Sequence, residues 1–146
     1  MDEHQYKMNT ISLEKSIELS RNTIDIARQD GYKICVTIVD ISGNVQLCMR
    51  DDGANYVTPE SSRKKAFTSA ATGGPTLKMA EKFSEKPHLF ELTKAHDSLM
   101  LYGGGCPIVF NNEKIGGIGV AGAPGGHLDH EIVVKALKSV GAEIQG

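Results

Sequence analysis

The densest group of ionisable side chains in the sequence is the segment His127, Leu128, Asp129, His130 and Glu131. If a helix begins here, His127 lies three residues before His130 and four before Glu131, which stacks these side chains on one helix face. Two imidazoles and a carboxylate can hold a divalent metal or haem iron, or exchange a proton near neutral pH. The segment matches no zincin-type motif. An acidic residue could therefore simply cap the helix while the histidines face solvent.

On this basis the candidate catalytic residues are His127, His130, Asp129 and Glu131, and the candidate metal ligands are the two histidines. A second polar group, Arg50 and Asp52, follows a predicted strand, where loop side chains commonly gather around a pocket. Lys65 lies in a basic run that is most often a solvated helix face. We include Arg50, Asp52 and Lys65 as candidate ligand-binding residues.

Two glycine-rich segments, 103–105 and 116–122, show where backbone or a ligand could approach closely. Residues 117–122 match GxGxxG, but a nucleotide site needs a helix directly after the glycines and an acidic residue about 20 positions on. Here the glycines lie inside a predicted strand, and too little chain follows to complete a nucleotide-binding fold. We therefore expect no nucleotide, and we take Gly104, Gly105 and Gly122 as candidate ligand-contacting positions.

The hydrophobic periodicity predicts the elements that position these residues. In order, they are a helix over 12–30, strands over 32–41 and 45–49, helices over 58–71 and 76–83, strands over 98–102, 106–110 and 114–122, and a helix over 128–140. Hairpin-linked strands with helices between them indicate an α+β fold on an antiparallel sheet. We expect an N-terminal tail over 1–11 and one domain over 12–146.

The composition excludes several classes of protein. Apolar residues make up 40% and charged residues 23% of the 146, a balance that argues against disorder. A net charge of −2 argues against a nucleic-acid-binding protein, and no apolar run is long enough to span a membrane. The first ten residues lack an apolar signal core, so we expect a cytoplasmic protein. Without a CxxC pair, Cys35, Cys48 and Cys106 are expected to be buried, reduced thiols.

An ordered series of segments over about 13–140 resembles the GlcG/HbpS family, also called the haem-degrading domain family. The series comprises residues 39–44, Arg50 with 52–54, residues 65–68, 103–108 and 115–122, and Asp129 opening the last helix. The resemblance implies a profilin-like α+β fold with about five antiparallel strands flanked by helices. It also implies homo-oligomers, dimers or larger, and a relation to the C-terminal domain of PduO-type proteins. One departure is His130, because family members commonly have Glu after the Asp.

The resemblance further implies binding of haem or a related tetrapyrrole, and in some members its breakdown. A flat ligand of this kind needs an apolar slot, an axial donor and cations for its propionates. The first candidates for the donor are His127 and His130, followed by His4 and His96. Arg50 or Lys65 would meet the propionates. Without a CxxCH motif, attachment would be non-covalent.

Two other functions stay open on the sequence. One is a small-molecule enzyme that uses His, Asp and Glu for acid–base or divalent-metal chemistry. The other is a non-catalytic accessory or scaffold oligomer, because no strong catalytic constellation is present.

Overall fold

The computed structural model describes residues 3–145, so Met1 and Asp2 of the predicted tail and the final Gly146 lie outside the described residues. The helices and strands follow the predicted order closely. They are α1 (Leu13–Gln29), β1 (Cys35–Asp40), β2 (Val45–Arg50), α2 (Thr58–Thr72), α3 (Thr76–Glu85), a 3₁₀ helix (Pro87–Ala95), β3 (Gly105–Phe110), β4 (Glu113–Ala121) and α4 (Gly126–Ser139).

The strands form one antiparallel sheet in the order β2-β1-β4-β3, which confirms the α+β class. Over residues 3–145 this sheet has four strands, so the expected fifth strand over 98–102 is wrong. That segment bonds to a helix instead of a strand: the Thr68 hydroxyl in α2 donates to the Ser98 carbonyl and accepts from the Met100 amide. The profilin likeness stays a prediction.

Helices cover both faces of the sheet. The main apolar cluster lies between the sheet and the pair α1 and α4, while α2 packs on the opposite face against β1, β3 and β4. β1 is buried on both faces because it lies between two strands and two helix layers. Of the helices within residues 3–145, none has the length and apolar character to span a bilayer.

Glycines in β4 set how closely α2 approaches the sheet. A Cβ atom on Gly117 would collide with the Ala66 carbonyl, and one on Gly119 would collide with the Ser62 carbonyl. The absence of side chains here brings the helix backbone directly onto the strand. The glycine-rich strand therefore serves packing, and it places the inner face of α2 at a fixed height over the sheet.

The end of the predicted tail is attached to the sheet. The Ile11 amide donates to the Ile115 carbonyl at 2.9 Å, and the Ile11 side chain is buried. The Thr10 hydroxyl accepts from the Ile41 amide at 3.0 Å. Ser12 then caps α1, because its hydroxyl accepts from the Lys15 amide at 3.1 Å.

The three cysteines are free thiols in two different environments. Cys35 and Cys106 are buried, as predicted, but Cys48 is exposed, so the expectation of three buried thiols is wrong. Cys48 lies on β2, the edge strand, which no helix covers as fully as β1.

Candidate functional site

A lysine and an aspartate form a buried ion pair between α2 and α4. Lys65 is 1% exposed and Asp129 is 2% exposed. The Lys65 Nζ donates to Asp129 Oδ2 at 3.0 Å and to the Val120 carbonyl at 2.8 Å. It also lies 4.9 Å from the centre of the Tyr102 ring, within the range of a cation–π contact. Two of its three N–H donors are thus occupied by protein acceptors.

The Asp129 carboxylate is held by α4 and the loop before it. Asp129 lies in the first turn of α4, where the helix dipole favours a negative charge, and its Oδ1 accepts from the Ala123 amide at 3.0 Å. Burial raises the pKa of Asp129 and lowers the pKa of Lys65, because both charged forms lose hydration. Each partner's charge opposes these shifts. The pKa values of the two groups therefore move towards each other.

Two of the predicted ligand-contacting glycines lie beneath this pair and are buried. Gly104 has φ +124°, and a Cβ atom there would lie 2.6 Å from the Val120 carbonyl oxygen and 2.8 Å from the Asp129 Cβ. A Cβ on Gly105 would collide with the Lys65 carbonyl. Gly104 and Gly105 therefore leave room for the ion pair.

An open pocket of about 240 Å³ ends on the ion pair. Met100 and Tyr102, before β3, form one wall, and residues 121–123, at the end of β4 and just after it, form another. The remaining wall comes from the loop before α2 and from its first turn, through Asn55, Val57, Thr58 and Ser61. The Thr76 hydroxyl positions one wall by donating to the Tyr102 carbonyl at 2.7 Å. Gly122, at φ +126°, presents main chain to the pocket without a side chain. Of the predicted residues, Lys65, Asp129 and Gly122 meet here.

Arg50 and Asp52 lie elsewhere, at the end of β2. With α1 they line a smaller pocket of about 120 Å³. In that pocket Arg28 forms a two-bond ion pair with Asp51. Its Nε donates to Asp51 Oδ2 at 2.9 Å and its Nη2 donates to Asp51 Oδ1 at 2.7 Å. Arg50 donates only a long bond of 3.4 Å to the Ala54 carbonyl. The structure therefore separates these two predicted residues from Lys65.

The two histidines of α4 have different surroundings. His127 is exposed, whereas His130 is half-buried with its Nδ1 3.9 Å from the Cys106 Sγ. Burial lowers the pKa of His130. Glu131 is exposed, and within residues 3–145 no three His, Cys, Asp or Glu side chains are grouped to hold a metal ion. The predicted metal role of the histidines thus gains no support from the arrangement of their neighbours.

The remaining histidines considered as axial donors lie away from the pocket lining. His96 stacks on Phe67 with ring centroids 4.7 Å apart, and its Nδ1 accepts from the Ser98 amide. His4 is exposed beside Glu3, at 3.6 Å. Neither lines the pocket on the ion pair.

Sequence reasoning missed most of the pocket wall, including Tyr102, Met100 and Thr58. Tyr102 carried a usable signal, because it directly precedes the glycines 103–105 that bring their neighbours close to the ion pair. The segment that leads into α2 carried a weaker signal, which was only that it is a loop opening a helix.

Comparison with known proteins agrees with this architecture. A family model described as "Haem degrading protein HbpS-like" matches residues 11–138. The chain belongs to this HbpS-like family. The matched range includes the whole sheet and both partners of the ion pair, so the candidate site lies inside the shared domain.

Solved structures share the fold over nearly the whole chain. A double mutant of HbpS from Streptomyces reticuli is 29% identical, with a TM-score of 0.86 over 97% of this chain and 94% of that one. A structure named as a PduOC:heme complex has a TM-score of 0.85 over 94% and 99% of the two chains; at 24% identity it shows the fold alone. A curated relative, an uncharacterised 15.0 kDa protein from Citrobacter freundii, is 25% identical over 77% of this chain and 80% of its own.

Proposed function

We propose that this HbpS-like protein binds haem or a related tetrapyrrole at the pocket that ends on Lys65 and Asp129. The observation that carries the proposal is a buried ammonium group facing an open pocket, next to the flat face of Tyr102. The family description refers to haem degradation, and a solved protein with the same fold is named as a haem complex. Both agree with a planar, acidic ligand.

The chemistry of the pocket suits such a ligand. Lys65 is the pocket's cation, and a propionate carboxylate would accept a charge-assisted hydrogen bond from it. Tyr102 and Met100 offer apolar surface to a ring edge, and Gly122 lets a flat group approach the main chain. At about 240 Å³ the pocket holds one side of a tetrapyrrole, and the rest would extend past Val57, whose side chain is exposed at the mouth.

His127 is our proposed axial donor. It is exposed in the first turn of α4, two residues before Asp129, which lines the pocket. His130 is less suitable, because its ring lies beside Cys106 and is half-buried.

Three finer proposals accompany binding. We infer that the protein is a homo-oligomer, because the adjacent residues Tyr56 and Val57, at 94% and 64% exposed, leave apolar surface uncovered. Light scattering of the purified protein tests this.

We also propose that bound haem is degraded, as the family description suggests. Loss of the Soret band after addition of a reductant and dioxygen tests this proposal. We propose the cytoplasm as the compartment, because the cysteines are free thiols.

Titration of the protein with hemin, followed at the Soret band, tests the binding proposal. We expect saturable binding that weakens by about 10- to 150-fold in Lys65→Met, since a hydrogen bond to a charged group contributes roughly 1.5–3 kcal/mol. Lys64→Met is the matched control on the same helix, and its half-exposed side chain lies outside the pocket. Tyr102→Ala tests the wall without removing a buried charge. Equal affinity in all four proteins would exclude this pocket as the site.

A second candidate function is acid–base chemistry on a small molecule at the same pocket. The observation that favours it is the converging pKa values of Asp129 and Lys65. Of the four predicted catalytic residues, only Asp129 lines the pocket. Exchange of deuterium from solvent into the methyl group of pyruvate, followed by proton NMR, tests it. Exchange that stops in Asp129→Asn supports this function, and no exchange with the native protein rejects it for α-keto acids.

A further inference from the structure

Two cysteines face each other on the β1–β2 hairpin, outside the pocket. Cys48 is opposite Thr37 in the strand register, which makes Cys35 its diagonal neighbour on the same face of the sheet. The two Sγ atoms lie 3.5 Å apart. Cys35 is buried and Cys48 is exposed, so a solvent-borne reagent reaches one sulfur of the pair first.

The surroundings shift the pKa values of the two thiols in opposite directions. The Cys35 and Cys48 sulfurs lie in hydrogen-bonding contact at 3.5 Å, and the Thr37 hydroxyl donates to the Cys48 sulfur, also at 3.5 Å. These bonds, with the nearby Arg50 guanidinium, lower the pKa of Cys48 to about 6. The same contact and burial raise the pKa of Cys35. An exposed thiolate beside a buried, protonated thiol is the arrangement of an attacking cysteine and its resolving partner.

We propose that Cys48 and Cys35 form a thiol–disulfide exchange site that reacts with low-molecular-weight disulfides such as glutathione disulfide. The Cys48 thiolate attacks one sulfur of glutathione disulfide, and the bond between the two glutathione sulfurs breaks as one glutathione thiolate leaves. Cys35 then loses its proton and attacks the Cys48 sulfur, releasing the second glutathione thiolate. The two protein thiols are oxidised to one disulfide, and one glutathione disulfide is reduced to two thiols, which take up the two protons.

Formation of the disulfide requires the β1–β2 hairpin to move. A disulfide bond is about 2 Å long, so the two sulfurs must approach by roughly 1.5 Å. β2 is the edge strand of the sheet, paired only with β1, and the pairing already shifts register between Ile38 and Val39. Movement of β2 therefore disturbs one strand pair and leaves the central strands in place.

Cys106 supplies an internal control. It is buried on β3, and burial raises its pKa to about 12, which keeps it protonated and unreactive. Within residues 3–145 the pair at 35 and 48 is the one place where two cysteine sulfurs lie in contact.

The test is equilibration of the native protein with mixtures of reduced and oxidised glutathione, followed by an acid quench, intact mass spectrometry and peptide mapping. We expect a species that has lost two hydrogens, with residues 35 and 48 in one cross-linked peptide, and its full reversal by reduced glutathione. Cys106→Ser should behave as the native protein does. Cys35→Ser should instead retain glutathione on Cys48, because the resolving thiol is absent.

Three results would overturn the proposal. They are glutathione held on native Cys48 without an internal disulfide, a disulfide between two chains through Cys48, or no reaction at either sulfur. Each is read from the native protein alone, so the conclusion stands even if a serine variant fails to fold.

Discussion

Replacing one partner of the buried ion pair should destabilise the protein severely. In Lys65→Met the Asp129 carboxyl, 2% exposed, loses the donor to its Oδ2 and keeps only the Ala123 amide on Oδ1. Breaking a buried pair from one side costs about 3–5 kcal/mol, because a charge or an unsatisfied polar group stays in the interior. For a chain of this length that loss corresponds to a fall in Tm of roughly 10–15 °C.

The double variant Lys65→Met/Asp129→Asn separates the pair's interaction from the loss of each side chain. With both charges removed, no uncompensated ion remains, so we expect the double variant to be more stable than the sum of the two single losses predicts. Contacting groups of this kind are coupled by about 0.5–3 kcal/mol. Urea unfolding followed by circular dichroism at about pH 7 gives all four free energies of unfolding, with Lys64→Met as the control.

Two outcomes would refute this reasoning. A loss below about 1 kcal/mol in Lys65→Met would mean that the ammonium group is solvated in solution, contrary to its burial. Strict additivity in the double variant would mean that the two side chains do not interact. Either result would also contradict the presence of a buried ion pair at the base of the proposed pocket.

Three further predictions concern other parts of the chain. Gly104→Ala should lose roughly 1–3 kcal/mol of stability in urea unfolding because of its positive φ and crowded Cβ position, whereas Gly74→Ala, with open space around it, should be nearly neutral; equal effects would contradict this. Arg28 lowers the pKa of Asp51 below 3.8, so the stability it adds is present above about pH 4 and is lost as pH falls through the lower folded value. Asp51→Asn should therefore be less stable than the native protein near pH 7, and the gap in their free energies of unfolding should narrow as the pH falls below about 4; a constant gap would refute this. The rate of alkylation of Cys48 by iodoacetamide should rise with pH and level off above about 6, the pKa to which its thiol neighbour and Arg50 lower it. Mass spectrometry of the labelled peptide measures this rate. A midpoint near pH 9, the ordinary pKa of a thiol, would contradict the prediction.

The elements were readable from the sequence because each carries a local signal. Alternation over β1, the turn at Gly43 and the cap at Ser12 are contained within a few neighbouring residues. The missing fifth strand shows the limit of that reading. Residues 98–102 are apolar enough for a strand, but their hydrogen bonds go to Thr68 on α2, and nothing local encodes that choice.

The site was only partly readable, for a related reason. Lys65 stands in a run of basic residues that suggests a solvated face, yet the small residues at Ser62, Ala66 and Ser69 show that this face of α2 lies directly against a strand. The glycines of β4 make the approach possible, so the burial of Lys65 depends on two segments far apart in the chain. Arg50 and Asp52 were grouped with it only because loops gather at strand ends, and they belong to another pocket.

The contact between Cys35 and Cys48 could not be read from the turn alone. The turn places Val45 opposite Val39, and that register, continued, would put Cys48 on the opposite face of the sheet from Cys35; the register shift between Ile38 and Val39 brings the two to one face. The sequence also did not show that β2 is the edge strand, because strand order depends on the pairing of β1 with β4, about 80 residues further along the chain.

The most direct test of the central claim is a crystal structure of the protein with hemin, with the iron located by anomalous diffraction at its absorption edge. We predict an iron peak at the mouth of the pocket, with a propionate within hydrogen-bonding distance of Lys65 and the ring edge against Tyr102. An iron peak outside this pocket, with Lys65 and Asp129 still paired and untouched by ligand, would contradict the account.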